Sequence, residues 1–174
     1  MSEIYSNLYL GNVVAAGDEK FLKKSKISHI LIAAEDIEPS FTTGYTYKQL
    51  PLVDVPEIKI IEYFVESIKF IDQARESGKT VLVHCLGGVS RSATLVIAYV
   101  MVKEEKSLKD AFAFVHKRRS KINPNPGFIA QLEIFEKALK TYFKNMKGEK
   151  IDYQFLDECV KELLPLLDKI KVKK

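Results

Sequence analysis

Short apolar runs separated by polar segments divide the chain into predicted strands and helices. Runs of about four to eight residues that are rich in β-branched residues and bounded by turn residues are typical of strands in a buried sheet. The runs that fit this description are NLYLGN near the start, ISHILIAA, YTYKQLPLVD, which stops at Asp54, and KTVLVHC, which stops at Cys85.

The segments between and after these runs place apolar residues at every third or fourth position, as amphipathic helices do. Gly78 ends a helix predicted from Ile58, and Ser107 is predicted to cap the helix in SLKDAFAFVHKRRSK, with Asp110 in its first turn. Further helices are predicted in DEKFLKKSK, in SATLVIAYVMVKE, which is apolar nearly all round and so belongs in the core, and in GFIAQLEIFEKALKTYF. Strands that alternate with helices predict an α/β domain with a central, mostly parallel sheet flanked by helices.

The end of the chain carries a separate apolar stripe at the spacing of one helix face: Leu156, Val160, Leu163, Leu167 and Ile170. Pro165 is expected to kink or interrupt that helix. The segment KNMKGEK precedes the stripe, so we predict a catalytic-type domain over residues 1–144 and an extra C-terminal helical segment over 145–174. The stripe either packs back on the domain or, alternatively, mediates self-association or partner docking through residues 151–172.

Composition and charge narrow the function classes. The 174 residues fit one domain, and the net charge of +4 is too mild to indicate a nucleic-acid partner. There is no apolar run long enough for a membrane span, and the first residues lack the pattern of a secretory signal, so we expect no membrane association and a cytoplasmic or nuclear location. His29, His84 and His116 match no zinc spacing, so neither a metal nor another cofactor is expected.

The turn between the strand that ends at Cys85 and the helix that follows it has the composition of an anion-binding loop. Such a turn offers backbone N–H groups without partners, and Gly87 and Gly88 let the backbone come close to a ligand. Arg91 adds a two-pronged donor for phosphate oxygens, and this setting favours the thiolate of Cys85, a nucleophile aimed at phosphorus. The predicted phosphate-binding residues are Leu86, Gly87, Gly88, Val89, Ser90 and Arg91.

A phosphoester also needs a group that protonates the leaving oxygen. Asp54 is our candidate for this acid, and Asp36, which ends LIAAED, is the competitor. Ser92 is expected to donate a hydrogen bond to the sulfur when a phosphocysteine breaks down. His84 either orients the loop through a hydrogen bond or is an ordinary core histidine.

The stretch HCLGGVSRS matches the HCxxGxxRS motif of the cysteine-dependent protein tyrosine phosphatases, and the chain most resembles a small dual-specificity phosphatase. The resemblance continues in LYLGN, YKQLPLVD, EYFVESIKFI and NPGFIAQL, and covers Ile4 to Tyr142. It implies a protein tyrosine phosphatase-like fold, attack by Cys85 and a phosphorylated protein as substrate. It also implies that Asn125 braces the phosphate loop.

The residues of the loop bear on the kind of phosphoester. Phosphoinositide phosphatases of the superfamily tend to carry lysines in this loop, whereas the residues between Cys85 and Arg91 include no base. We therefore expect a singly phosphorylated, protein-like substrate carrying phosphotyrosine, phosphoserine or phosphothreonine. The alternatives are a non-protein phosphoester such as a phosphoinositide, and a phospho-binding pseudophosphatase or adaptor. The second is disfavoured because Cys85, Arg91 and an acid are all present.

Overall fold

A five-stranded sheet lies at the centre of the computed structural model, which describes residues 1–146 and 150–169. In sheet order the strands are β1, β2, β5, β3 and β4; β1 is antiparallel to β2 and the remaining pairs are parallel. The predicted central, mostly parallel sheet is therefore confirmed. The strands are β1 Ser2–Tyr5, β2 Leu8–Asn12, β3 Ile27–Ala33, β4 Thr46–Leu50 and β5 Thr80–Cys85.

Helices cover both faces of this sheet. Because successive side chains of a strand point to opposite faces, β5 sends Val81 and Val83 into a large core and Leu82 into a smaller one. In the described part of the chain no helix combines the length and the apolar character needed to cross a bilayer. The helices are α1 Val13–Ala16, α2 Glu19–Lys24, α3 Phe64–Glu76, α4 Arg91–Lys103, α5 Leu108–Arg118, α6 Pro126–Asn145 and α7 Tyr153–Lys161, with 3₁₀ turns at Ile60–Tyr63 and Leu164–Lys169.

Strand β5 is paired on both sides, and every one of its residues is buried. This explains its apolar sequence, since a strand covered on both faces has no solvent side. Asn12 at the end of β2 lies opposite Cys85 at the end of β5. The carboxyl edge of the sheet, where sites form in α/β folds, is thus where Cys85 lies.

Several predicted boundaries are wrong. Strand β4 ends at Leu50, not at Asp54, because Pro51 has no N–H with which to continue the sheet. Strand β1 was not predicted; it lies at the sheet edge and half of its short sequence is polar. The helix predicted from Ile58 begins as the 3₁₀ turn, and regular α3 starts only at Phe64. The caps at Ser107 and just past α3 at Gly78, which has φ of 70°, are confirmed.

The C-terminal helix packs back on the domain. Leu156 and Val160 of the predicted stripe are buried in the large core, where α7 lies against α3 and α6. The hydroxyl of Tyr153 donates to Oδ2 of the buried Asp72 at 3.0 Å. The helix ends at Lys161 and gives way to a 3₁₀ turn around Pro165, so the predicted interruption is confirmed. Ile170 lies outside the described residues.

Candidate active site

The loop between β5 and α4 runs from Leu86 to Ser90. Each of its five carbonyl groups accepts a hydrogen bond from a residue outside the loop. In a planar trans peptide each carbonyl points away from the next residue's N–H, so a loop with outward carbonyls presents inward N–H groups. The N–H of Gly88 accordingly points to Sγ of Cys85, at 3.3 Å. The donors are Val13 N for Leu86, Arg119 Nη2 for Gly87, Arg119 Nε for Gly88, Asn123 N for Val89 and Thr94 N for Ser90.

Gly88 has a conformation and a position that no other residue could take without a shift of the backbone. Its φ of 63° lies in the left-handed region. A Cβ atom there would lie 2.1 Å from the carbonyl oxygen of Gly11 and 2.6 Å from Nη2 of Arg119. The close approach of the β2 end to the loop therefore requires glycine at this position.

Cys85 lies beneath this loop with 1% of its surface exposed. Its Sγ lies 3.2 Å from Oγ of Ser92, in the first turn of α4. A thiolate accepts hydrogen bonds and cannot donate them, so in that state the Ser92 hydroxyl is the donor. The structure thus brings together Cys85, Ser92 and the loop N–H groups, as the sequence predicted.

Arg91, the first residue of α4, is buried with its guanidinium held from one side. Its Nη1 donates to the carbonyl of Leu52 at 3.2 Å, and among the described residues its Nε has no hydrogen-bond partner. Two carboxylates approach it: Oδ2 of Asp54 lies 3.8 Å from Nε, and Oδ1 of Asp36 lies 3.9 Å from Nη1. Both predicted acid candidates therefore lie at the same arginine.

Asp54 is attached to the loop more firmly than Asp36. Its Oδ1 accepts hydrogen bonds from Ser90 Oγ at 2.7 Å and from Asn125 Nδ2 at 2.9 Å. Its side chain keeps 36% of its surface exposed, against 70% for Asp36. These bonds orient one carboxylate oxygen and leave the other 3.8 Å from Nε of Arg91.

Asn125 connects the acid, the loop and a helix. Its backbone N–H donates to Ser90 Oγ at 3.1 Å, and its Oδ1 accepts from Phe128 N as the N-cap of α6. Gly127, in the first turn of that helix, approaches the segment after Asp54 so closely that a Cβ would lie 2.1 Å from the carbonyl oxygen of Pro56. The start of α6 therefore holds both the loop and the acid-bearing segment.

Comparison with known proteins agrees with this geometry. The family model described as "Dual specificity phosphatase, catalytic domain" matches residues 8–138. The chain belongs to the dual specificity phosphatase family. It is a cysteine-dependent protein phosphatase with the protein tyrosine phosphatase-like fold of that family.

Similarity to members of this family extends beyond the matched domain. Dual specificity protein phosphatase 1B of Arabidopsis thaliana is 44% identical over 140 residues, which are 80% of this chain and 84% of the relative. Dual specificity protein phosphatase 22 of Xenopus laevis is 40% identical over 175 residues, 98% of this chain and 81% of the relative. The crystal structure of DUSP15 superposes with a TM-score of 0.78 at 36% identity, covering 93% of this chain and 95% of that one. The family model ends at residue 138, close to the expected end of the resemblance at Tyr142, and the alignment with the Xenopus relative continues into the C-terminal segment.

His84 precedes the phosphatase cysteine and is a buried, neutral group. Burial lowers the pKa of His84 from 6.5 to about 4, and the adjoining backbone of Cys85 opposes this effect. Within the described ranges its Nδ1 has no hydrogen-bond partner. A hydrogen bond through Nδ1 is therefore not seen, while the two predicted roles of His84, orienting the loop or serving as a core histidine, both stay predictions.

Arg119 is the phosphatase residue that sequence reasoning missed. It is buried, and its guanidinium donates from Nε to Gly88 O at 2.7 Å, from Nη2 to Gly87 O at 3.4 Å and from Nη1 to Ser2 Oγ at 3.3 Å. Burial lowers the pKa of Arg119, and the neighbouring Cys85 acts in the opposite direction. In the sequence it is one of four bases in KRRSK, and periodicity does not separate it from the exposed Arg118. The end of α5 at Arg118 turns Arg119 toward the loop.

Proposed function

We propose that this chain hydrolyses phosphotyrosine, phosphoserine and phosphothreonine in proteins through a phosphocysteine on Cys85, with Asp54 as the acid and base. The observation that carries the proposal is the loop whose carbonyls are all held outward, with Cys85 Sγ 3.3 Å from the N–H of Gly88. A phosphoryl dianion seated in this loop would receive several N–H donors and the free edge of Arg91.

In the first step the Cys85 thiolate attacks phosphorus in line with the ester oxygen. The S–P bond forms while the P–O bond to the substrate side chain breaks. Asp54, protonated at this stage, transfers its proton to the departing oxygen. The loop N–H groups and Arg91 hold the three oxygens over which the transition-state charge spreads.

In the second step water attacks the phosphocysteine and the S–P bond breaks. Asp54, now a carboxylate, accepts a proton from that water. Inorganic phosphate is released, and the thiolate is regenerated. The Ser92 hydroxyl, 3.2 Å from Sγ, stabilises the sulfur as its negative charge returns. Ser90 and Asn125 keep the acting carboxylate over the loop in both steps.

The exposure of the site supports a substrate range that includes both aryl and alkyl phosphoesters. Leu86 is 57% exposed and Asp54 lies at the surface, so the loop is shallow and does not demand a long aromatic side chain. Asp36 adds a negative charge at the mouth, which disfavours the additional phosphates of a phosphoinositide.

Docking or self-association through residues 151–172 stays a prediction. Leu156 and Val160 of the apolar stripe are buried in the domain's own core, and Leu163 and Leu167 pack against that core partly buried, which supports a bracing role for α7. The cytoplasmic or nuclear location is likewise an expectation from the sequence.

The test is hydrolysis of para-nitrophenyl phosphate against pH, with chelator present, by the wild type, Cys85→Ser, Asp54→Asn and Asp36→Asn. We expect a bell-shaped kcat/KM profile, loss of turnover in Cys85→Ser, a roughly 100-fold or greater loss in Asp54→Asn and little change in Asp36→Asn.

Three results would contradict the proposal. Turnover that survives Cys85→Ser would show that Cys85 is not the nucleophile. A larger loss of kcat/KM in Asp36→Asn than in Asp54→Asn would show that Asp36 is the acid. Binding of a phosphopeptide by the wild type without any hydrolysis would indicate the adaptor function instead.

A further inference from the structure

The most exposed large hydrophobic side chains of the described residues belong to the phosphate loop or to segments directly beside it. These are Val14, Val55 and Leu86, with 74%, 39% and 57% of their surface exposed. Leu86 belongs to the phosphate loop and Val55 follows Asp54. Val14 follows Val13, whose N–H donates to the carbonyl of Leu86 at 3.2 Å. Single exposed hydrophobic residues are common, but their grouping around one site indicates a surface that another molecule covers.

An apolar groove continues from the mouth of the site. It has a volume of about 670 Å³ and shares Asp54 and Ser90 with the site. Its apolar lining residues are Val89, Pro124, Pro126 and Ile129, and Asn123 and Asn125 complete it; we call this depression the rim groove.

A second depression of about 410 Å³ lies between α5 and α6. Ile129 lines both depressions, and the second is lined further by the apolar Leu108 and Phe112 and the charged Lys109, Glu133 and Glu136. A polypeptide whose phosphorylated residue occupies the loop advances by about 3.3 Å with each residue. Its neighbouring side chains therefore reach the rim groove directly.

The charges at the other side of the mouth are acidic. Glu35, Asp36 and Glu38 follow β3 and are exposed, and Asp36 approaches Arg91 to 3.9 Å. A second phosphate or an acidic residue close to the phosphorylated residue would meet these carboxylates and be repelled. Apolar contact is thus favoured and additional negative charge is disfavoured at the same mouth.

We propose that the preferred substrates are singly phosphorylated protein segments with apolar residues flanking the phosphorylated residue, one flank seated in the rim groove. This inference rests on the proposed function and specifies its substrate class. The substrate polypeptide is the occupant because the rim groove opens from the site itself.

The test uses two phosphotyrosine peptides that differ only at the two residues on each side of the phosphotyrosine, leucine in one and aspartate in the other. The wild type is expected to hydrolyse the leucine peptide with a kcat/KM at least about tenfold higher. Ile129→Ser and Val55→Ser should reduce that preference severalfold and leave turnover of para-nitrophenyl phosphate unchanged. The matched control is Ile151→Ser, the same change beyond the far end of the 20-residue α6, a helix about 30 Å long.

Equal kcat/KM for the two peptides in the wild type would overturn the inference, as would a preference that persists in both Ile129→Ser and Val55→Ser. Turnover of para-nitrophenyl phosphate by each variant, with its melting temperature, separates a lost preference from a lost fold. Binding of the same peptides to Cys85→Ser, followed by fluorescence anisotropy, needs no hydrolysis. If the wild type turned over no phosphoester, a leucine preference in binding would still support the groove, and equal binding would overturn it.

Discussion

Arg119 serves the carbonyl groups of two consecutive loop peptides with one guanidinium. A buried carbonyl that loses its hydrogen-bond donor costs about 1–3 kcal/mol. Without Arg119, the two peptides lower this cost by rotating, and that rotation changes the shape of the loop. Removing Arg119 therefore changes the direction of the loop N–H groups that would face the phosphoryl group. Arg119 itself donates to the carbonyls on the outer side of the loop.

We expect Arg119→Gln to lower kcat/KM for para-nitrophenyl phosphate by about 10- to 100-fold and to weaken inhibition by inorganic phosphate in parallel. Arg119→Lys keeps the positive charge but replaces the planar guanidinium fork by a single ammonium group. This variant should therefore recover only part of the lost kcat/KM. The exposed neighbour Arg118→Gln is the control. If the Arg119→Gln enzyme bound phosphate as tightly as the wild type, the positioning role would be wrong.

His84 makes the stability of the protein depend on pH. Its pKa is about 4 in the fold and 6.5 when it is free, so between these values the unfolded chain binds a proton that the folded chain does not. The contribution of His84 to the free energy of unfolding is fully present above pH 6.5. As the pH falls toward 4, about 3 kcal/mol of this free energy is lost. A His84→Gln variant should lack this loss.

The measurement is the urea midpoint of unfolding at several pH values from 7 to 4, for the wild type and His84→Gln. Because carboxylates titrate in the same range, the quantity of interest is the difference in slope between the two proteins. Identical slopes would show that the ring takes up its proton within the fold.

At the scale of elements, α6 connects the site to the opposite end of the molecule. Its N-terminus holds Asp54 and Ser90 through Asn125, and its C-terminal half packs against α7. The buried Asp72 accepts hydrogen bonds from Tyr99 and Tyr153 and pairs with Lys103, so it joins α3 and α4 to the C-terminal helix.

Deleting residues 150–174 tests whether α7 is a structural brace. Loss of the buried Leu156 and Val160 should reduce the free energy of unfolding by about 3–6 kcal/mol, while kcat/KM of the folded protein changes little. Tyr153→Phe should cost about 1 kcal/mol. Melting curves and the mass in solution check this together. Unchanged melting with the loss of a dimer would instead favour self-association through this segment.

At the scale of the whole molecule, the sequence predicted what depends on local chemistry. The run from His84 to Ser92 contains the strand end, the glycines and the first turn of α4 in one stretch, so the loop could be derived from it. Asp54 was found beside the site although β4 ends earlier, at Leu50.

What could not be predicted depends on contacts between distant segments. Three such contacts shape the site: Arg119 with the loop carbonyls, Leu52 with Arg91, and Gly11 with Gly88. Nothing in the local sequence pattern connects the residues of each pair. The short edge strand β1 is likewise defined by its partner β2 and not by its own half-polar sequence.

The outward carbonyls of the loop also have a consequence for synthesis of the protein. Their donors come from Val13, Thr94, Arg119 and Asn123, so two of them are translated well after Cys85. At about 5–20 residues per second, the thiol exists for a few seconds before the chain can complete the loop around it. On the ribosome Cys85 is therefore an ordinary cysteine, and the loop above it is complete only once Asn123 has emerged and the domain has folded.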